Sequence, residues 1–387
     1  MIRTADVVVI GGGCMGASTA YHLARRGVKD VALLEKGYLA SGPTGKSSGI
    51  IRQHYPIKEL VITSLKSLRV FERFDEMVGG DAGFVKTGFL VLVPEGHQEA
   101  VEGYVAMQKG LGVNVKLLSL DELKELQPQT NLEDVAVASY HPDSGYASTV
   151  ATTNLFAARA REMGAHVYEG IEVKDIKLGG DGVERVVTDK GEISTPVVVN
   201  AAGAWGHKIG GMVGVELPVK PTRHQLCIFK RPYDFWQPQI TYADFPLKCY
   251  FRPEGSDLFL AGALNEVFNH DKADPDKYDE EADPETLSWF LSRICQRFPA
   301  MKRASYRGGY SGIYDTTPDE QPIIGPVDEV RGFYCLLGWS GHGFKHCPAM
   351  GELMAELITE GETTEVNLSI FRPSRFAEKK LLKATAI

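Results

Sequence analysis

Asp6-Val7-Val8-Val9-Ile10-Gly11-Gly12-Gly13-Cys14-Met15-Gly16 is the stretch on which the fold turns, and Val31-Ala32-Leu33-Leu34-Glu35 completes it. Val7 to Ile10 is short, apolar and β-branched, the composition of a strand buried on both faces. It runs directly into a GxGxxG pattern at Gly11, Gly13 and Gly16. A helix is predicted next, with Ala17, Ala20, Leu23 and Ala24 on one face and Gly27 as its stop. A second strand, Val31 to Leu34, ends in Glu35. Gly11 permits the tight turn, Gly13 lets the backbone approach a pyrophosphate, and Gly16 lets the helix pack on the strand. Phosphates then meet the unpaired N–H groups and positive dipole end of the helix. Glu35 follows Gly16 by 35 − 16 = 19 residues, where a carboxylate takes both hydroxyls of an adenosine ribose. An acid there selects an unphosphorylated ribose, so FAD or NAD rather than NADP. The candidate cofactor residues of this unit are Gly11, Gly13, Cys14, Met15, Gly16, Glu35 and Lys36.

Beyond it, residues 38–49 are rich in Gly, Ser and Thr and read as an irregular loop. Loops this long inside a compact domain are usually functional, which makes Ser41, Lys46, Ser47 and Ser48 candidates for phosphate or ribityl contacts. Helical patterns cover 57–78, 97–111 and 150–163, the last capped by Ser148 or Thr149. Residues 84–93 read as one long strand or a pair. Short strands are expected at 167–173, 183–188 and 196–200, the last entering Asn200-Ala201-Ala202-Gly203-Ala204-Trp205. The stretch 217–263 is β-rich, with strands at 224–230, 249–252 and 258–261. A charged segment, 266–284, reads as a surface loop before a helix at 285–297. The chain closes with strand 333–337, a glycine loop and a helix at 348–360. α/β patterns at both ends flanking a β-rich middle indicate a nucleotide domain made of separated segments around an inserted domain.

The chain has 387 residues, enough for two domains of ordinary size. With 43% hydrophobic and 24% charged residues it is neither disordered nor fibrous. A formal net charge of −8 argues against general affinity for nucleic acid or anionic lipid. The six cysteines form no CxxC pair, which leaves a structural zinc site without support and suits reduced thiols in a cytosol. No apolar run reaches the length of a membrane span or a signal-peptide core. The expectation is a soluble, cytoplasmic protein.

Gly338-Trp339-Ser340-Gly341-His342-Gly343-Phe344-Lys345-His346 lies between the last strand and helix and repeats the physics of the first loop. Small residues let a ligand come close, and a helix N-terminus aims positive potential at it. A flavin pyrimidine ring suits this place because its reduced form carries negative charge. His342 and His346 are four apart, but no third metal ligand is evident, and no metal is expected.

The two glycine loops, with Ile50-Ile51-Arg52-Gln53-His54-Tyr55, Lys86-Thr87-Gly88-Phe89-Leu90, Asn200 to Trp205, Thr317-Pro318-Asp319-Glu320 and Phe371-Arg372-Pro373-Ser374-Arg375-Phe376, make the chain resemble the D-amino-acid-oxidase superfamily of flavoproteins nearly end to end. Within that group it is similar to monomeric sarcosine oxidase and to the β subunit of heterotetrameric sarcosine oxidase. The resemblance implies an α/β fold: an FAD-binding, Rossmann-like domain of the glutathione-reductase type built from 1–80, 150–215 and 320–387. An α+β substrate domain based on an antiparallel sheet would be inserted as 81–149 and 216–319. It implies FAD, with Val173, Ala202, Gly203, Trp205, Gly338, Gly341, His342, Gly343, Phe344 and Lys345 among its contacts. It implies oxidation of a secondary amino acid such as sarcosine, by hydride transfer to flavin N5 and imine hydrolysis, with oxygen reduced to hydrogen peroxide. The alternative is a sarcosine- or proline-type dehydrogenase passing electrons to an acceptor or partner subunit. Arg52 and Lys345 match the positions that clamp the substrate carboxylate, a pairing that the chemistry of guanidinium and ammonium supports. Tyr250, Tyr314 and His342 complete the catalytic candidates, and His54 and Trp339 are further pocket candidates.

Four departures refine this. Gly312 stands where monomeric sarcosine oxidase links its flavin to a Cys, so FAD is expected to be noncovalent or attached elsewhere. Ser148-Thr149-Val150 lacks the His that carries FMN in the β subunit. Tyr314 stands where D-amino-acid oxidases and glycine oxidase place a substrate-binding Arg. Apolar residues around Phe259 to Leu264 occupy the region from which monomeric sarcosine oxidase presents an oxygen-activating Lys, with Lys248 near in sequence. The expected partners are a small amino acid with a free carboxylate and oxygen or another acceptor. The chain is expected to be a monomer, a small homo-oligomer or a subunit of a larger complex.

Overall fold

The computed structural model describes residues 1–180, 182–237, 239–264 and 272–382. The opening stretch lies inside a six-stranded sheet whose order is Ile323–Pro326, Phe333–Leu337, Val198–Asn200, Val7–Ile10, Val31–Leu34 and His166–Tyr168. Its pairs are parallel except Ile323–Pro326 with Phe333–Leu337. Every residue of Val7–Ile10 and Val31–Leu34 is buried, so both faces need cover. Strand alternation supplies it. Val7 and Val9 pack with the helices Cys14–Arg25, Thr149–Glu162 and Cys347–Glu360, whereas Val8 and Ile10 pack under a three-stranded antiparallel sheet, Val173–Gly179, Gly182–Thr188 and Gly191–Ser194.

A second sheet has eight strands in the order Ser305–Thr316, Lys220–Lys230, Leu258–Ala263, Cys249–Glu254, Thr241–Asp244, Phe89–Val93, Val137–His141 and Lys116–Leu118. It is antiparallel except at the seam between Thr241–Asp244 and Phe89–Val93, where two distant chain segments meet in parallel. One face sends Phe89, Val91, Ala243, Tyr250 and Leu260 toward the first core. The other buries Leu90, Leu92, Phe251 and Phe259 with Phe290 and Ile294 of the helix Pro284–Arg297. This gives the α/β architecture expected from the sequence, with the sheet of the inserted part mixed at one junction.

Local differences have local causes. The helix expected over 57–78 is Lys58–Glu72 followed by a separate turn, Phe74–Met77, because Arg73 leaves helical geometry at φ −129° and ψ 35°. Within 84–93 only Phe89–Val93 is strand, since Gly88 at φ 74° breaks the extension. The strand expected over 167–173 divides into His166–Tyr168 and Val173–Gly179, which join different sheets. Ser148 caps Thr149–Glu162, its hydroxyl accepting from the Ala151 N–H at 3.2 Å. Part of the loop expected at 266–284 lies outside the described residues. Among the described residues no helix is long and apolar enough to cross a membrane.

Candidate functional site

A cavity of about 500 Å³ opens at the carboxyl ends of Val7–Ile10, Val31–Leu34 and Val198–Asn200, where open α/β sheets bind ligands. Gly11, Gly13, Cys14, Met15, Glu35, Lys36, Ser41, Ser47, Val173, Ala202, Gly203, Trp205, Tyr314, Gly341, Gly343 and Phe344 all line it. The glycines divide by what a side chain would meet. A Cβ on Gly16 would stand 2.0 Å from the Gly11 carbonyl oxygen, and one on Gly11 2.5 Å from the Ala201 carbonyl oxygen. Both are dictated by protein packing. A Cβ on Gly13 would meet only the Thr44 hydroxyl, at 3.0 Å, so the space there is left to a ligand. The Glu35 carboxylate accepts the Gly12 and Gly37 N–H groups, each at 2.7 Å. That fixes its aim and leaves each oxygen a lone pair for a ribose hydroxyl. This cradle fits a dinucleotide such as FAD.

The other expected cofactor residues sit around the cavity. Gly16 is behind the loop it supports. Lys46 stands at the rim, bonded to the Tyr278 hydroxyl at 2.6 Å and paired with Glu280 at 2.5 Å. Ser48 hydrogen-bonds Tyr250. Gly338, at φ 76°, donates its N–H to the Asp315 carboxylate at 2.7 Å. Gly312 backs onto the Lys46 side chain, where a Cβ would stand 3.1 Å from the Lys46 Cβ.

On the inner face of the eight-stranded sheet the structure gathers the substrate-site candidates. The Arg52 guanidinium lies over the Tyr55 ring, 4.2 Å from its centroid, and donates to the His54 carbonyl. Lys345, on the turn Phe344–His346, is 6% exposed and donates to the His342 carbonyl at 3.2 Å. Burial, and then the Arg52 charge, holds the Lys345 ammonium well below its ordinary pKa. Neither cation forms an ion pair with an acidic side chain among the described residues. The Tyr250 ring lies across Gly262 and the Tyr314 ring across Gly341, where an added Cβ would in each case come within 2.1 Å of the ring. The two tyrosine side chains hydrogen-bond each other. His342 is held near pKa 3 by burial and then by Lys345, and its Nε2 is 3.0 Å from the Glu320 carbonyl oxygen. His346 instead turns Nδ1 to the Thr63 hydroxyl at 3.0 Å and stacks on Trp339.

Several residues packed around these candidates escaped the sequence reading. His224 packs against Tyr314 with ring centroids 4.1 Å apart. His141 meets His54 at 5.6 Å, and burial plus Arg52 holds it near pKa 3. Tyr310, pushed up to about 12 by burial, and Asp315, pushed up to about 6 by burial, stand on the same strand as Tyr314. Thr44 accepts the Cys14 N–H at 3.2 Å and lines the cavity. Its hydroxyl in the Gly/Ser/Thr loop was the one available signal; the others sit in strands that look like ordinary sheet.

The fold and cradle define a dinucleotide-binding flavoprotein architecture, and the family model described as "FAD dependent oxidoreductase" (DAO) matches residues 6–357. The chain belongs to this family. It is 30% identical over 369 residues to human mitochondrial sarcosine dehydrogenase, a match covering 92% of this chain and 40% of that protein. The chain therefore spans about two fifths of the length of that relative. Its structure is similar to that of L-proline dehydrogenase from P. horikoshii, with TM-score 0.90 and 30% identity over 99% of this chain and 100% of that one. It is also similar to glycine oxidase from Geobacillus kaustophilus, with TM-score 0.82 and 28% identity over 97% and 99% of the two chains.

Proposed function

We propose that this chain uses noncovalent FAD to oxidise a secondary amino acid, N-methyl or cyclic, such as sarcosine or proline, at the carbon next to nitrogen. The observation that carries this is the pair Arg52 and Lys345: two basic side chains close enough for the Arg52 charge to act on the Lys345 ammonium, neither with an acidic partner among the described residues. Holding like charges together in a partly dry pocket is unfavourable, and a small anion relieves it. A carboxylate does so with directional hydrogen bonds, two from the guanidinium fork and one from the ammonium. The names of the relatives, sarcosine and L-proline dehydrogenases, support the same substrate class.

Bound FAD would supply the oxidising power, accepting the hydride equivalent. The chain supplies position. A carboxylate held by Arg52 and Lys345 fixes the neighbouring C–H, and such pre-orientation is worth about 7–11 kcal/mol at best. Tyr250, Tyr314 and His224, packed on one another with Tyr310 beside them, would keep bulk water from the reacting carbon. Lys345 and the N-terminus of Cys347–Glu360 favour negative charge on the cofactor side. His342, neutral at physiological pH, adds no competing charge. The reaction leaves an imine, which water hydrolyses; sarcosine would give glycine and formaldehyde. In this reading 1–80, 150–215 and 320–387 hold FAD, while 81–149 and 216–319 hold the substrate.

Oxygen, reduced to hydrogen peroxide, is one acceptor. A dehydrogenase reading is favoured by the strand Leu258–Ala263, whose Leu260 and Gly262 share the face of Tyr250 and carry no cation, the neighbouring Arg252 being paired with Glu254. A stopped-flow panel of secondary amino acids, run under nitrogen and then under oxygen, tests both points. Anaerobic bleaching of the flavin by sarcosine or proline is expected, and no bleaching by any member overturns the substrate class. Rapid peroxide formation by the isolated chain eliminates the dehydrogenase reading.

A further inference from the structure

Residues 273–283 contain no helix or strand, yet they cross the mouth of the cavity: Pro275, Asp276, Tyr278 and Glu280 line it. Both ends of this crossing are fastened to the eight-stranded sheet, Ala273 donating its N–H to the Pro221 carbonyl at 3.1 Å at one of them, and the tip between them is held differently. At its root, Arg223 of the strand Lys220–Lys230 donates to the Asp279 and Glu281 carbonyls at 2.9 and 2.6 Å and to both carboxylate oxygens of Asp283. The Ser311 N–H adds a bond to the Glu280 carbonyl at 2.7 Å. The root is thus part of the eight-stranded sheet. Between root and tip Lys46 holds the Tyr278 hydroxyl and Glu280, and at the tip, beside a longer Lys208–Asp274 pair at 4.0 Å, one carboxylate makes the close attachments. Asp276 accepts from Lys36 Nζ at 2.5 Å, Trp205 Nε1 at 2.7 Å and Lys208 Nζ at 2.6 Å. Lys36 follows Glu35 on one wall of the cavity, whereas Trp205 and Lys208 follow Val198–Asn200 on the other. Lys36 also lies over the Trp205 ring, 3.9 Å from its centroid. Asp276 therefore ties both walls together across the opening.

The root rests on backbone bonds and a guanidinium 13% exposed, the tip on Trp205 and on the charged groups of Lys36, Lys208 and Asp276, 39–45% exposed. Exposed charge pairs are individually weak and salt-sensitive, which is the character of a fastening that opens and re-forms. We propose that this segment is a strap closing the cavity over the adenosine half of bound FAD, with Asp276 as its latch, so that the latch sets the rate at which the cofactor leaves. The inference rests on the FAD reading above and assigns a retention role to residues that touch none of the reacting atoms.

The test is the rate of FAD release from purified holoprotein, read as the rise of free-flavin fluorescence after dilution into FAD-free buffer. Asp276→Asn is expected to release FAD about tenfold faster, the combined worth of three modest contacts. Lys208→Ala removes one contact from the opposite wall and is expected to fall between the two. Salt near about 1 M is expected to speed release from the wild type more than from Asp276→Asn, because only the wild type has a latch to screen. Stripped of FAD, all three proteins should melt alike, since the substituted groups are surface-exposed. Wild-type protein that purifies without flavin overturns the FAD reading and the strap with it. Wild type that holds FAD, with Asp276→Asn releasing it at the wild-type rate, overturns the strap alone.

Discussion

The Asp319 carboxylate and the Arg375 guanidinium form a two-pronged pair, with both N···O distances at 2.9 Å and side chains 2% and 0% exposed. The remaining donors of Arg375 reach the Phe371 and Gln321 carbonyls at 2.8 and 2.9 Å. Two stretches that looked like separate signatures, Thr317-Pro318-Asp319-Glu320 and Phe371 to Phe376, are thus two halves of one clasp. Breaking a buried pair leaves an uncompensated charge, worth about 3–5 kcal/mol. Asp319→Ala is expected to lose that much in urea unfolding, whereas Asp319→Ala with Arg375→Met should recover part of it. Equal loss in the double variant would show that the clasp acts through volume rather than charge.

Gly13 and Gly16 are expected to respond in opposite ways to the same small change. In Gly13→Ala the new methyl meets only the Thr44 hydroxyl, which can turn aside. The protein should fold, melt within a few degrees of the wild type without cofactor, and purify nearly colourless. In Gly16→Ala the methyl meets the Gly11 carbonyl, which cannot move without breaking the turn, so soluble protein should fall sharply. Flavin retained by Gly13→Ala at wild-type stoichiometry would contradict the cradle described above.

What was legible in the sequence was what repeats or is locally enforced. Val7 to Ile10, the glycine loop and Glu35 carry their geometry in adjacent residues, and they fall around one cavity. His224, Tyr310 and His141 are different. Each lies in a strand whose pattern only says that one face is buried, and the partner strands that bring them beside Tyr314, Tyr250 or His54 lie far away in sequence, as His224 with Gly312 does. Asp276 was hidden for another reason: a charged, proline-containing stretch reads as surface, and nothing local tells which surface it lies on.

Arg52→Ala is expected to raise KM for a secondary amino acid by roughly 30-fold or more while flavin content stays at the wild-type level, the loss of a charged two-pronged contact being worth about 2–5 kcal/mol. Arg52→Lys should recover little, because an ammonium reproduces neither the fork nor the stacking on Tyr55. Steady-state kinetics with a flavin assay on the same preparations decides it. An unchanged KM removes Arg52 from the carboxylate site.

Lys345 gives the site a pH dependence whose sign follows from its surroundings. Burial, and then the Arg52 charge, holds the free ammonium well below its ordinary pKa, whereas a bound carboxylate favours the charged form and raises it. Below the depressed value Lys345 is charged and binding is at full strength. As pH climbs between the free and bound values the ammonium must take up a proton to bind, so affinity falls. Acetate, which the flavin cannot oxidise and whose own titration lies far below this range, is a suitable probe, read by its perturbation of the flavin spectrum. Its Kd is expected to rise with pH between the depressed free value and the raised bound value, by up to tenfold per unit. Removing the Arg52 charge in Arg52→Met relieves part of the depression, so the rise should begin at a higher pH even though binding is weaker throughout. In Lys345→Met the rise should vanish. A Kd that climbs equally in Lys345→Met would assign the titration to another group and leave Arg52 as the only cation holding the carboxylate.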